Sequence, residues 1–85
     1  MAAAVTRSVF SDAYRHMCER LTEERLANGL TQAELARALG RPQSYVAKFE
    51  RGERRLDVVE LLEILSVLKV DPAPFVREVA AHLSR

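Results

Sequence analysis

Residues 30–52 read LTQAELARALGRPQSYVAKFERG. Thr31 and Glu34 form a T-x-x-E capping box, in which the Thr hydroxyl accepts from the Glu34 backbone N–H and the Glu carboxylate accepts from the Thr31 N–H. A helix is therefore expected to begin at Gln32, with Ala33, Leu35, Ala36 and Leu39 on its apolar face. Gly40 stands where a helix ends in a left-handed residue, a conformation that glycine alone adopts at little cost. Pro42, with its preset φ, can open the next helix. Val46 and Phe49 form an inward stripe on that helix, which leaves Gln43, Ser44, Tyr45 and Lys48 facing outward. Gly52 stops it in turn.

Two short helices joined by a glycine turn, with amide and basic side chains on the second, have the layout that lays a helix into the DNA major groove. Taken as pattern alone, the same features also suit an ordinary helical hairpin whose Gln and Lys are simply solvated.

The charge distribution bears on this choice. The whole chain carries a net charge of only +1. Residues 1–30 are neutral, whereas residues 31–56 set Arg37, Arg41, Lys48, Arg51, Arg54 and Arg55 against Glu34, Glu50 and Glu53. Residues 57–85 are acidic. A basic middle between neutral and acidic ends suits a protein that turns one side towards phosphate.

Outside this stretch the chain reads as further helices. Ser11 is an N-cap with Asp12 in the first turn, and Phe10, Tyr14, Met17, Leu21 and Leu26 are spaced for one buried face. Asn28 and Gly29 end that helix. Asp57 and Glu60 form a second capping box. The helix after it, with Val58, Val59, Leu61, Leu62, Ile64, Leu65 and Leu68, is apolar nearly all round, so it belongs at the centre of the molecule or at a subunit interface. Asp71-Pro72 opens a last helix with Phe75, Val76, Val79, Ala80 and Leu83 on one stripe. No segment alternates apolar and polar residues as a strand would. The expected fold is all-α, a compact bundle of five helices. Residues 1–10 are expected to be a flexible N-terminal segment, and residues 11–85 one domain with its two-helix motif at about 31–52.

A chain of 85 residues that is 48% hydrophobic and 29% charged is globular and small, with a core that a dimer interface would help. The lone Cys18 cannot form an internal disulfide and lies on a helical stripe, which reads as a small buried hydrophobe. No run approaches the length of a membrane span, and the N-terminus lacks the pattern of a secretory signal, so a cytoplasmic protein without membrane contact is expected. His16 and His82 are far apart in sequence, and no metal-ligand spacing or phosphate-binding glycine loop occurs. No enzyme activity, metal or cofactor is expected.

Arg25, Gly29, Leu30, Thr31-Gln32, Leu35-Ala36, Leu39-Gly40, Val46, Phe49-Glu50, Gly52, Leu62, Leu65 and Leu68 resemble the Cro/cI-type helix-turn-helix family, also called lambda repressor-like or XRE. The resemblance runs from about Leu21 to Val70. It implies sequence-specific binding of double-stranded DNA by a small bacterial or phage transcriptional regulator, most simply a repressor that meets a palindromic operator as a homodimer. Antitoxins and restriction–modification controllers are alternatives within that resemblance, the former with a toxin as partner. A module used for protein contacts is a further alternative.

Carried onto this sequence, the resemblance makes Gln43, Ser44 and Lys48 the base-reading residues. Gln can pair with adenine N6 and N7, and Lys with guanine O6 and N7. Gln32, Arg41, Tyr45, Arg51, Arg54 and Arg55 become candidates for the DNA backbone. Arg25 and Glu50 match positions that form an ion pair between the first helix and the end of the third. Phe75, Val76, Val79 and Leu83 are the candidates for a dimer interface. The family usually places Ser or Thr before Gln43 as a cap. Pro42 stands there in this chain and cannot cap with a side chain.

Overall fold

The computed structural model describes residues 11–84 and consists of α1 (Asp12–Ala27), α2 (Gln32–Leu39), α3 (Gln43–Glu50), α4 (Val58–Val67) and α5 (Pro72–Ala81), with a final 3₁₀ turn at His82–Ser84. No strand occurs among the described residues. The expectation for residues 1–10 lies outside them.

The helix starts follow from their caps. Ser11 accepts from Tyr14 N, Thr31 from Glu34 N, Asp57 from Glu60 N and Asp71 from Ala73 N. At α2 and α4 the capping boxes are complete, with Glu34 and Glu60 reaching back to the cap N–H at 2.9 and 3.0 Å. The start of α3 differs. Pro42 is its N-cap rather than its first helical residue, with φ −67° and ψ 155°, and no side chain caps the helix. The extended ψ keeps Pro42 outside the helix, which begins one residue later than expected.

Between α2 and α3 the chain turns at Gly40, whose φ is +69°. Gly40 N donates to Arg37 O and Arg41 N to Ala36 O, the paired bonds that satisfy the last carbonyls of a helix ending in a left-handed glycine.

The core is built from all five helices. Leu21 of α1, Leu35 of α2, Val46 and Phe49 of α3, and Ile64 and Leu65 of α4 are fully buried, and Leu68 and Phe75 nearly so. Each such side chain contributes about 1.5–3 kcal/mol relative to an exposed position. Cys18 lies in this core, as its stripe implied. Asn28 Nδ2 donates to Leu68 O at 3.1 Å and ties the end of α1 to the end of α4.

Three expectations, for Leu26, Ala33 and Phe75, are corrected by burial. Leu26 is 62% exposed instead of lying on the inner face of α1. At 100° per residue it stands about 140° from Leu21, while Arg25 occupies the inward position. Ala33 likewise lies outside the buried face of α2, which is made by Leu35 and Ala36. In the single chain the fourth helix buries Ile64 and Leu65 and leaves Val58, Val59 and Leu62 exposed at 71, 63 and 41%. Phe75, a candidate for a dimer interface, is 3% exposed and packs into the core of this one chain. Val79 is half-buried against the same core, which leaves Val76 and Leu83 as the exposed members of that stripe.

Helix α5 is held to α1 by polar contacts as well. Glu78 accepts from His16 Nε2 at 2.5 Å and from Arg20 Nε at 3.1 Å, and the His16 and His82 rings stack with centroids 3.8 Å apart.

Candidate nucleic-acid interface

Helix α3 is short and two-faced. Its inner face is Tyr45, Val46 and Phe49, all buried. Its outer face carries Gln43, Ser44 and Lys48, all exposed, with Ala47 half-buried between them. The three expected base-reading residues therefore share one solvent-facing surface.

Tyr45 does not join them. It is 7% exposed and meets Phe49 edge-on with ring centroids 5.4 Å apart. The outward-facing reading of Tyr45 is corrected: together with Val46 and Phe49 it fills a wider inner face than a two-residue stripe. Burial pushes its phenol above the usual range.

A chain of hydrogen bonds ties this face to the core. Gln43 Nε2 donates to Gln32 Oε1 at 2.8 Å, and Gln32 Nε2 donates to Glu50 Oε1 at 3.0 Å. Glu50 is in turn held by Arg25, from Nε at 2.7 Å and from Nη2 at 3.1 Å. Arg25 also donates from Nη1 to Leu30 O at 2.7 Å. The two side chains of the ion pair are only 10 and 6% exposed. The pairing of Arg25 with Glu50 is the one that the family resemblance implies. The extension through Gln32 to Gln43 is not legible in the sequence, because it joins residues eleven apart across a turn whose geometry is not written locally.

The arginines fall into distinct settings. Arg41 and Arg54 both place their guanidiniums over the Tyr45 ring, 4.5 and 4.8 Å from its centroid. Glu60 lies between them, bonded to Arg54 through both carboxylate oxygens at 3.0 Å and 3.7 Å from Arg41. This bond to Arg54, with the Asp57 N–H, holds the Glu60 carboxyl below the usual carboxylate range. Arg54 is thus engaged as a clamp on α4 rather than standing free. In the sequence Glu60 reads only as a cap. Its added role depends on the residues 51–57 loop folding back over Tyr45.

Arg51 is bonded twice to Glu53, at 3.0 and 3.1 Å on an exposed surface. Arg55 lies over Tyr14, 4.4 Å from the ring centroid, while Tyr14 OH donates to Arg54 O at 3.0 Å. These contacts fix the loop after α3 against α1. Arg41, Arg51 and Arg55 are nevertheless exposed to solvent.

Among the described residues, no group of three His, Cys, Asp or Glu side chains is placed to hold a metal ion. No helix among them is long and apolar enough to cross a membrane.

Comparison with known proteins agrees with this geometry. Residues 21–75 match the helix-turn-helix family model. Among solved structures, the XRE-family like protein from Pseudomonas syringae pv. tomato str. DC3000 superposes with a TM-score of 0.82 at 39% identity, over 93% of this chain and 96% of that one. No curated protein matches the chain.

Proposed function

The chain belongs to the XRE-type helix-turn-helix family of DNA-binding regulators, and we propose that it binds a specific double-stranded site through α3, as a repressor that meets a palindromic operator as a dimer. The observation that carries this reading is the outer face of α3. Gln43, Ser44 and Lys48 stand exposed on a helix whose other face is locked into the core.

On this reading α3 enters the major groove with Gln43 at its leading end. The bond from Gln43 to Gln32 uses one amide proton of Gln43 and fixes the plane of its side chain. The other N–H and the carbonyl oxygen are then free to meet adenine N6 and N7. Lys48 donates to guanine, and Ser44 bonds to a neighbouring base edge. Each good contact adds roughly 1–3 kcal/mol of discrimination.

Gln32 stands at the first residue of α2, where backbone N–H groups and the positive helix end favour a phosphate. Arg41, Arg51 and Arg55 supply sequence-independent attraction around it. Arg54 adds positive potential, but its guanidinium would have to leave Glu60 to bond a phosphate. With about 4–6 phosphates neutralised per subunit, affinity falls steeply with salt. Residues 11–85 form the unit that does this, in the cytoplasm, with double-stranded DNA and a second copy of the chain as partners.

The test is selection from a random-sequence duplex pool. The expected result is a palindromic site, lost or relaxed in the Gln43→Ala/Lys48→Ala variant. If nothing is enriched even at low salt, the proposal is wrong.

A further inference from the structure

We infer that Tyr45 is a positioning residue for DNA binding: its buried ring fixes the Arg41 guanidinium at the surface, ready to meet a backbone phosphate. The inference rests on the proposed DNA reading and gives a role in it to a side chain on the inner face of α3.

Three observations carry it. First, Arg41 is held at both ends. Its backbone N–H donates to Ala36 O at 2.9 Å, and its guanidinium carbon lies 4.5 Å from the Tyr45 ring centroid. A guanidinium over an aromatic face is attracted by the ring quadrupole and stacks in a defined plane. The platform is itself fixed, since Tyr45 meets the fully buried Phe49 edge-on. Second, the Arg41 donors are not consumed. Its side chain is 37% exposed and makes no hydrogen bond among the described residues. Glu60 Oε2 stands 3.7 Å from Arg41 Nη2, too far for a hydrogen bond, and both Glu60 oxygens accept from Arg54 at 3.0 Å. Glu60 therefore anchors Arg54 and restrains Arg41 through its field alone. Third, the charges do not cancel. Arg41 and Arg54 set two positive groups over one ring against the single carboxylate of Glu60, and the guanidinium left without a hydrogen bond is that of Arg41.

The gain is entropic. A long arginine side chain that moves freely must give up its rotamers when it meets a phosphate. Arg41 has given up much of that freedom already, on folding against Tyr45, while keeping its N–H groups to donate.

Binding of the full chain to a fluorescein-labelled duplex of the selected sequence, over a range of salt, tests the role. Arg41→Ala should lower affinity about tenfold and make the salt dependence shallower by about one phosphate. Tyr45→Leu should lower affinity about threefold under conditions where the variant is folded, and Tyr45→Phe, which restores the ring, should recover it. Tyr45→Leu added to Arg41→Ala should cost nothing further, because Tyr45 acts through Arg41. A ring that only fills the core gives another pattern: a lower melting temperature, with affinity unchanged in the folded variant or reduced equally in both backgrounds. That pattern overturns the inference. A second measurement needs no variant and no DNA. The ring current of Tyr45 should shift the Arg41 Nε–H proton upfield in the NMR spectrum of the wild type, and an unshifted proton overturns the inference as well. These failures leave DNA selection by α3 intact. A wild-type chain that binds no duplex at low salt is the separate failure of the DNA reading, and it removes this role with it.

Discussion

Gln43 and Gln32 are joined side chain to side chain, with Nε2 of the first donating to Oε1 of the second at 2.8 Å. The bond links the outer face of α3 to the start of α2, and through Gln32 to the buried Glu50. Gln32→Ala is expected to act on recognition more than on stability. It removes a partner from Glu50, which keeps its two bonds from Arg25, so the loss of stability should stay near ~1 kcal/mol. The base preference at the position read by Gln43 should broaden. Selection sequencing of the variant beside a thermal melt checks both. An unchanged site with a large drop in melting temperature would reverse the assignment.

Removal of Glu50 has the opposite balance. Glu50→Ala leaves the Arg25 guanidinium buried at the junction of α1 and α3 without its carboxylate. Breaking such a pair from one side costs about 3–5 kcal/mol. In a domain this small the variant should melt many degrees lower, as followed by circular dichroism. A wild-type melting temperature would mean that water replaces the contact readily.

Gly40→Ala isolates backbone strain. An added Cβ there meets nothing within 4 Å, but φ is +69°. The cost is therefore conformational, about 1–2 kcal/mol for a residue with a side chain in this region. Urea unfolding should show a lower midpoint with an unchanged slope. A stability gain would show that the turn can relax to negative φ.

How much of the fold and of the α3 surface is legible in the residues follows from how local each feature is. The caps at Thr31 and Asp57 and the stop at Gly40 are written within a few residues, and the sequence alone is enough to read them. Arg25 with Glu50 is reached through family resemblance rather than spacing. Tyr45 escapes the pattern because an eight-residue helix offers barely two turns, too few to fix the width of its buried face. Leu26 escapes it because apolarity is a weaker guide than angle, and Arg25 holds the inward direction. The double use of Glu60 and the Gln43–Gln32 bond depend on how a turn and a loop fold back, which no local pattern encodes.

Acid should weaken the fold through Glu60 and Glu78. The bond from Arg54 holds Glu60 below its ordinary value, and the bond from His16 does so for Glu78. A carboxyl lowered on folding stabilises the native state above its unfolded value, near 4.5 for both. That contribution is lost as pH falls through the lowered folded value. Melting temperature should decline below pH 4.5, and Glu60→Gln should flatten part of that decline. A variant with the same acid profile as wild type would assign the decline to other carboxyls.

Cys18 should be slow to react in the native state. It is 3% exposed, and burial raises its thiol above the ordinary value. Little thiolate is therefore present at neutral pH, and reagents meet it only on opening. Labelling by an aromatic disulfide should accelerate through the urea transition in step with helix loss. Fast labelling of the folded chain would reveal an opening between α1 and the loop after α3.

The tether on Gln43 has a consequence for how such a regulator can change its target over generations. Ser44 and Lys48 make no side-chain hydrogen bond among the described residues, so each can be replaced without disturbing a neighbour. Replacing Gln43 does disturb one, because it removes the exposed bond to Gln32 and loosens the residue that reaches Glu50. Drift in operator preference can therefore proceed by single steps at 44 and 48. At 43 a step also changes the setting of Gln32, and descendants of this chain should vary at those two positions together more often than at 44 and 48.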